Sequence, residues 1–164
     1  MNDQTTHGAL GALPVIASSR APIVVEADGA YAKLMFDTAV LATLMPAHVD
    51  QMNEKTFRIY LLLDRVKGKS DATVLQVYLN LSSQLLKIHL GSVALFGLRQ
   101  ASLNESGGGM QFILDVSAHS AHLLSAATLA QGQLNVLIRP TQALPKGVAI
   151  DIGQMRLCLE KFTN

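Results

Sequence analysis

Alternation of apolar and polar positions is the clearest pattern along this chain. In residues 73–81, TVLQVYLNL, the three leucines and Val77 fall on one face of an extended segment, whereas Gln76, Tyr78 and Asn80 fall on the other. Successive side chains of a β-strand point to opposite faces of a sheet. This stretch therefore predicts a strand with one buried face.

The segment before it carries a second strand pattern. Residues 57–66, FRIYLLLDRV, are rich in large apolar and β-branched side chains, and the charged step KGKSDA that follows is typical of a turn. Two strands joined by a loop of about six residues predict a hairpin over 57–81.

The stretch 78–97, YLNLSSQLLKIHLGSVALFG, fits either a buried helix or two further strands. A helix would have to run through Asn80, Ser82, Ser83 and Gly91, which are poor helix formers, whereas a period of two explains the apolar residues on either side. Two strands with a connection are therefore predicted. Further strand patterns lie at MQFILDV, at LNVLIRP and in a long C-terminal segment with an expected bend at Gly153.

One segment departs from the β pattern. Residues 117–131 are rich in Ala and Leu and end at Gly132, which predicts one short helix near 118–130, opened by a serine cap and closed by the glycine. The whole pattern predicts an all-β protein, a sandwich or jelly-roll of about seven to nine mostly antiparallel strands. Residues 1–21 are expected to be a flexible leader, and residues 22–164 a single β-sandwich domain.

Composition narrows the function classes. With 49% hydrophobic and 15% charged residues the chain can bury a sizeable core, and a formal charge of +1 disfavours nucleic acid as a partner. The longest apolar runs are far shorter than the ~20 residues of a membrane span. No Lys or Arg precedes Arg20, so a secretory signal is not indicated and a cytoplasmic location is expected. The single cysteine, Cys158, is expected to be a buried structural thiol.

The candidate chemistry is sparse. His119 and His122 form an H-x-x-H pair on one side of the predicted helix, where they could share a metal, but no third ligand lies beside them and solvated side chains are the simpler interpretation. Asp115, Ser117 and His119 are too close in sequence to converge as a catalytic triad. The sequence therefore predicts neither an enzyme nor a cofactor.

A family resemblance adds a functional hypothesis. The order DRVKGKSDATVLQVYLNL, HLGSVALFGLRQAS, QFILDVS, a short helix, LNVLIRP and VAIDIGQMRL, over about residues 22–160, resembles the C-terminal β-sandwich domain that follows the dicopper domain in tyrosinases and polyphenol oxidases. The resemblance implies a domain that packs over a copper site, keeps the enzyme latent and assists its folding or copper loading. The copper-binding histidines of that family do not carry over, since this chain has five histidines and no H-x-x-x-H helix pair.

The resemblance makes a tyrosinase-like dicopper domain the expected protein partner, with Leu85, Leu86 and Phe96 as candidate contacts to its cleft. Two other functions remain open at this point. One is a structural sandwich that self-assembles into a homo-oligomer through an exposed apolar edge. The other is a small metal or ligand binder that uses His119 and His122.

Overall fold

The computed structural model describes residues 13–44, 57–71, 73–81, 86–103 and 108–162. Nine strands account for most of them, and every pairing between these strands is antiparallel. This confirms the all-β class and the number of strands predicted from alternation. The strands are β1 (Val15–Ser19), β2 (Ile23–Val25), β3 (Ala30–Phe36), β4 (Phe57–Gly68), β5 (Val74–Leu81), β6 (Leu86–Ala94), β7 (Met110–Asp115), β8 (Gln133–Pro140) and β9 (Ile150–Lys161).

The strands form one nearly closed sheet. Their order is β6-β5-β8-β3-β1-β9-β4-β7, with β2 also paired to β9. The two edge strands, β6 and β7, approach each other without a hydrogen-bonded ladder in the described part of the chain. They meet instead through side-chain packing, because a Cβ atom placed on Gly91 would lie 3.1 Å from a methyl group of Leu114. The missing side chain at Gly91 therefore makes room for Leu114 where the sheet comes closest to closing.

The inner face of this sheet holds the hydrophobic core. In β5 the predicted alternation is confirmed, since Leu75, Val77 and Leu79 are fully buried and the residues between them are partly exposed. The same alternation places Ile59, Leu61 and Leu63 of β4 in the core. Further core residues come from every other strand except β7, whose Met110, Phe112 and Leu114 are partly buried against the core.

The predicted hairpin over 57–81 is wrong. β4 pairs with β9 and β7, whereas β5 pairs with β6 and β8. The KGKSDA step therefore carries the chain between two parts of the sheet that are not neighbours, although its composition is typical of a turn. Turn residues allow the chain to change direction, but they do not determine which strand it pairs with next.

The predicted boundary at residue 22 also needs correction. β1, which falls in the expected leader, lies inside the sheet between β3 and β9. Its residues Ile16 and Ala17 are buried in the core, and the backbone carbonyl of Ile16 accepts the N–H of Asp37. The ordered fold thus begins before residue 22, and residues 1–12 lie outside the described part.

The described part contains several short helices where the sequence predicted one. In the predicted range a 3₁₀ turn (Ser117–His119) is followed by α3 (Ser120–Leu123) and α4 (Ala126–Gln131), so the helix near 118–130 is broken into three pieces. Gly132, in the left-handed conformation, closes α4 as predicted. Two further helices, α1 (Thr38–Leu44) and α2 (Leu98–Leu103), lie elsewhere in the chain. None of the helices in these ranges is long and apolar enough to span a membrane.

Candidate functional site

The most exposed large apolar side chain in the described part belongs to Phe96. It lies on the tight turn between β6 and α2, at residues 95–98, which we call the Phe96 turn. Phe96 as a residue is 73% exposed, whereas Leu95 and Leu98 on either side of it are completely buried. Single exposed apolar residues are common on protein surfaces. Phe96 differs because the buried side chains of Leu95 and Leu98 hold it in a defined position.

Backbone hydrogen bonds close the Phe96 turn. The N–H of Leu98 donates to the carbonyl of Leu95 at 3.2 Å, and the N–H of Leu95 donates to the carbonyl of Thr73 at 3.0 Å. Gly97 adopts φ +78°, in the left-handed region that glycine enters without steric cost. The exposure of Phe96 therefore results from the geometry of a fixed turn.

α2 is held against the end of β4 by polar contacts. The hydroxyl of Ser102 accepts the backbone N–H of Gly68 at 2.9 Å, and the carboxylate of Asp71 accepts the N–H of Arg99 at 2.7 Å. Leu103, the last residue of α2, is also strongly exposed. The turn and the short helix together form a fixed projection with apolar side chains at its surface.

The three predicted contact residues do not form one site. Leu86 is the first residue of β6 and is 43% exposed, whereas Phe96 lies beyond the other end of that strand. Ten residues of extended chain span about 30 Å. Leu86 and Phe96 therefore cannot enter the same narrow cleft, and Leu85 lies outside the described residues.

Among the described residues, no third ligand joins the predicted metal pair of His119 and His122. His119 ends the 3₁₀ turn, and His122 lies on α3 with an exposed side chain. Within the described ranges no group of three or more His, Cys, Asp or Glu side chains could hold a metal ion. His122 instead borders a cleft that also contains Asn80, Gln131 and Asn135, and its backbone carbonyl accepts the Thr128 hydroxyl at 3.1 Å.

The Asp115 and Ser117 side chains form a structural contact that does not involve His119. The Ser117 hydroxyl donates to the Asp115 carboxylate, and its oxygen accepts the N–H of Ile59 at 2.9 Å. Burial alone would raise the pKa of Asp115, but the hydrogen bonds from Ser117 and Arg58 outweigh it and lower that pKa. Sequence reasoning missed this contact, although an Asp two residues before a Ser at the end of a strand is a known local hydrogen-bonding pattern.

Cys158 is completely buried, as predicted for a structural thiol. Burial raises the pKa of its thiol, and the nearby charge of Arg156 only partly opposes this effect. A thiol with a raised pKa carries little thiolate at neutral pH, so the surroundings of Cys158 do not favour nucleophilic chemistry.

These features define an antiparallel all-β domain with a fixed apolar projection at the Phe96 turn. The chain belongs to the family described as Domain of unknown function (DUF7868), whose model matches residues 12–160. That match begins immediately before β1, in agreement with the place of β1 in the sheet. No curated protein matches the sequence.

Proposed function

We propose that this chain is a non-catalytic interaction domain that masks or assists a dicopper oxidase domain. The family resemblance of residues 22–160 to the C-terminal domain of tyrosinases supplies the partner class. The observation that supports the proposal is the exposure of Phe96. This residue is 73% exposed on a turn that is held in place by two buried leucines.

An anchored aromatic side chain suits insertion into a partner's cleft. Burying an exposed phenylalanine contributes about 2 kcal/mol, and aromatic side chains are frequent at the energetic centre of interfaces. A mobile loop would lose conformational freedom on binding, which offsets part of this gain. The hydrogen bonds of the Phe96 turn reduce that loss because they fix the turn before the partner arrives.

The charge of the chain bears on how such a complex would respond to salt. A formal charge of +1 from thirteen basic and twelve acidic residues gives little long-range attraction for a charged partner. Association driven by an apolar contact depends weakly on ionic strength. A cap that works through Phe96 should therefore stay bound across physiological salt concentrations.

Replacing Phe96 tests the proposal. We expect the parent chain to inhibit phenol oxidation by a tyrosinase dicopper domain that lacks its own C-terminal domain, and the Phe96→Ser variant to inhibit about tenfold less well, because the inserted aromatic ring is lost. Initial rates measured against increasing cap concentration give the inhibition constant. Binding of the two proteins is measured in parallel by sedimentation.

The matched control is Tyr31→Ser, since Tyr31 on β3 is also a strongly exposed aromatic residue, at 66%. Tyr31→Ser should inhibit as well as the parent. Equal loss in both variants, or unchanged oxidation and no complex with the parent chain, would rule out a cap that acts through the Phe96 turn.

A second candidate function is self-assembly, which is favoured by the edge position of β6. β6 pairs with β5 on one side, and on its other side β7 packs against it near Gly91 but forms no hydrogen-bonded ladder with it in the described part of the chain. Leu86 is exposed at the start of β6. Unpaired edges are templates for pairing with another copy. Cytoplasmic location and metal binding by His119 and His122 stay predictions.

Sedimentation velocity over a concentration series tests self-assembly. If β6 pairs with a second copy, the parent chain should sediment as an oligomer and Leu86→Lys as a monomer, because a lysine on an edge strand opposes strand addition. Val24→Lys, at a similarly exposed position of β2, should leave the oligomer intact. A parent chain that is monomeric at every concentration contradicts this candidate.

A further inference from the structure

β4 and β9 change the face that they present to the core at the same place. Along β4 the core residues Leu61 and Leu63 are followed by Val66, so one extra residue interrupts the alternation. Along β9 the core residues Met155 and Ile152 show the same interruption. The pairing of β4 with β7 is also shifted between Leu63 and Val66, as in a β-bulge. Bulges often redirect side chains at functional sites.

Arg65 occupies an unusual conformation at this bulge. Its φ of +52° is the only positive value of a non-glycine residue in the described ranges. A Cβ atom on Gly153 would lie 2.5 Å from Nε of Arg65 and 2.9 Å from its Cβ. The Arg65 side chain therefore lies directly across the backbone of Gly153. Strained residues of this kind cluster at binding and catalytic sites.

A second glycine allows β7 to approach the same place. Gly109, the residue before β7, has φ +69°, and a Cβ atom there would lie 2.5 Å from the backbone oxygen of Val66. Three positions with special backbone requirements, Arg65, Gly109 and Gly153, thus surround the bulge.

Polar side chains converge on the same cleft, which has a volume of about 450 Å³. The Asp64 carboxylate accepts hydrogen bonds from Nε of Arg156 at 2.6 Å and from the side-chain amide of Gln111 at 2.5 Å. Arg65 and Gln154 also line the cleft, and neither side chain hydrogen-bonds to another described residue. Two groups that can donate hydrogen bonds therefore have no partner among the described residues, and they lie beside the hydrogen-bonded pair of Asp64 and Arg156.

We propose that this cleft binds a carboxylate. The Arg65 guanidinium presents parallel N–H groups that match the two oxygens of a carboxylate, and the Gln154 amide supplies a further donor. Arg156, held by Asp64, adds positive charge to the cleft wall. The two guanidinium groups and the Asp64 carboxylate sum to one positive charge, which matches a monoanion better than a doubly charged phosphate.

The proposal is tested by titrating the chain with sodium acetate at constant ionic strength and following backbone amide signals by NMR. We expect saturable shifts at Gly109, Gln111 and Gln154, and none with acetamide, a neutral molecule of the same shape. In Arg65→Gly the dissociation constant should rise about tenfold or more, because the charged fork is lost. Glycine tolerates φ +52°, so this variant should keep the fold.

A second variant tests whether the position of the Arg65 guanidinium matters for binding as well as its charge. Gly153→Ala displaces the Arg65 side chain while keeping it, and should weaken acetate binding in the same direction. Arg99→Gln, an exposed arginine outside the cleft, should bind acetate as the parent does. Shifts that do not saturate, shifts that persist unchanged in Arg65→Gly, or tighter binding of inorganic phosphate than of acetate would overturn the assignment.

Discussion

Replacing Gly29 by alanine is expected to lower the free energy of unfolding by about 4 kcal/mol. Gly29 lies in the turn between β2 and β3, where its N–H donates to the carbonyl of Glu26 at 3.0 Å and its φ is +98°. A Cβ atom in this conformation would overlap the backbone oxygen of Ile138 and lie 3.1 Å from the Arg139 side chain. The carbonyl cannot move aside without disturbing the pairing of Ala30 with Ile138.

Gly132→Ala is the matched control for this prediction. Gly132 also has a positive φ, +71°, but a Cβ atom there would meet nothing within 4 Å. Gly132→Ala should therefore lower the free energy of unfolding by only about 1 kcal/mol, which is the cost of alanine in the left-handed conformation. Urea unfolding of both variants gives the two values. Equal destabilisation would show that the overlap with Ile138 is relieved by a small shift and that backbone conformation alone sets the cost.

The side of the sheet on which a residue lies could be predicted from sequence wherever alternation is regular. In β5 the assignment of Leu75, Val77 and Leu79 to the buried face is confirmed, because that face depends only on the local period of two. In β9 the core positions Ile150 and Ile152 are followed by Met155 and Leu157, so the alternation shifts by one residue next to Gly153. Gly153 marks the place where the alternation of β9 is interrupted. A glycine alone does not show which face of the strand is buried beyond that interruption.

Strand partners could not be predicted in this way. β4 and β5 are consecutive in sequence but pair with strands up to about 100 residues away, as in the pairing of Phe57 with Lys161. Local alternation carries no information on such partners. β1 was missed for a related reason. Its sequence VIASS is short and half polar, and only its two neighbours, β3 and β9, make it a strand.

The same limit applies to the candidate sites, because the local sequence does not show which distant residues meet in the fold. Phe96 was named as a candidate contact on the strength of the family resemblance, and the structure shows that it is exposed, although its contact role stays a prediction. The cleft at the bulge was not predicted, because Asp64, Gln111 and Arg156 come from three strands and meet only through the pairing of those strands. The His119–His122 spacing was visible in the sequence, but spacing along one segment cannot supply a third ligand.

Ser117→Ala is expected to destabilise the fold by about 2 kcal/mol at pH 7. The Ser117 side chain is buried, at 6% exposure of the residue, and accepts the N–H of Ile59 at 2.9 Å while donating to Asp115. Alanine leaves that N–H without an acceptor and removes one donor from the carboxylate. Ser19→Ala is a close control, since Ser19 is also 6% exposed and accepts the N–H of Met155 at 2.9 Å, with no carboxylate attached.

The two variants should differ in their dependence on pH. Because Ser117 lowers the pKa of Asp115 in the folded state, the resulting stability is present above the unfolded pKa of about 3.9 and is lost as the pH falls through the lower folded value. The Ser117→Ala deficit should therefore shrink below about pH 4, by less than about 1 kcal/mol since Asp115 is partly exposed to solvent. The Ser19→Ala deficit should stay constant over the same range. Urea unfolding of parent and variants between neutral pH and pH 3 measures both, and parallel curves for the two variants would show that the Ser117 hydroxyl contributes only through the Ile59 N–H.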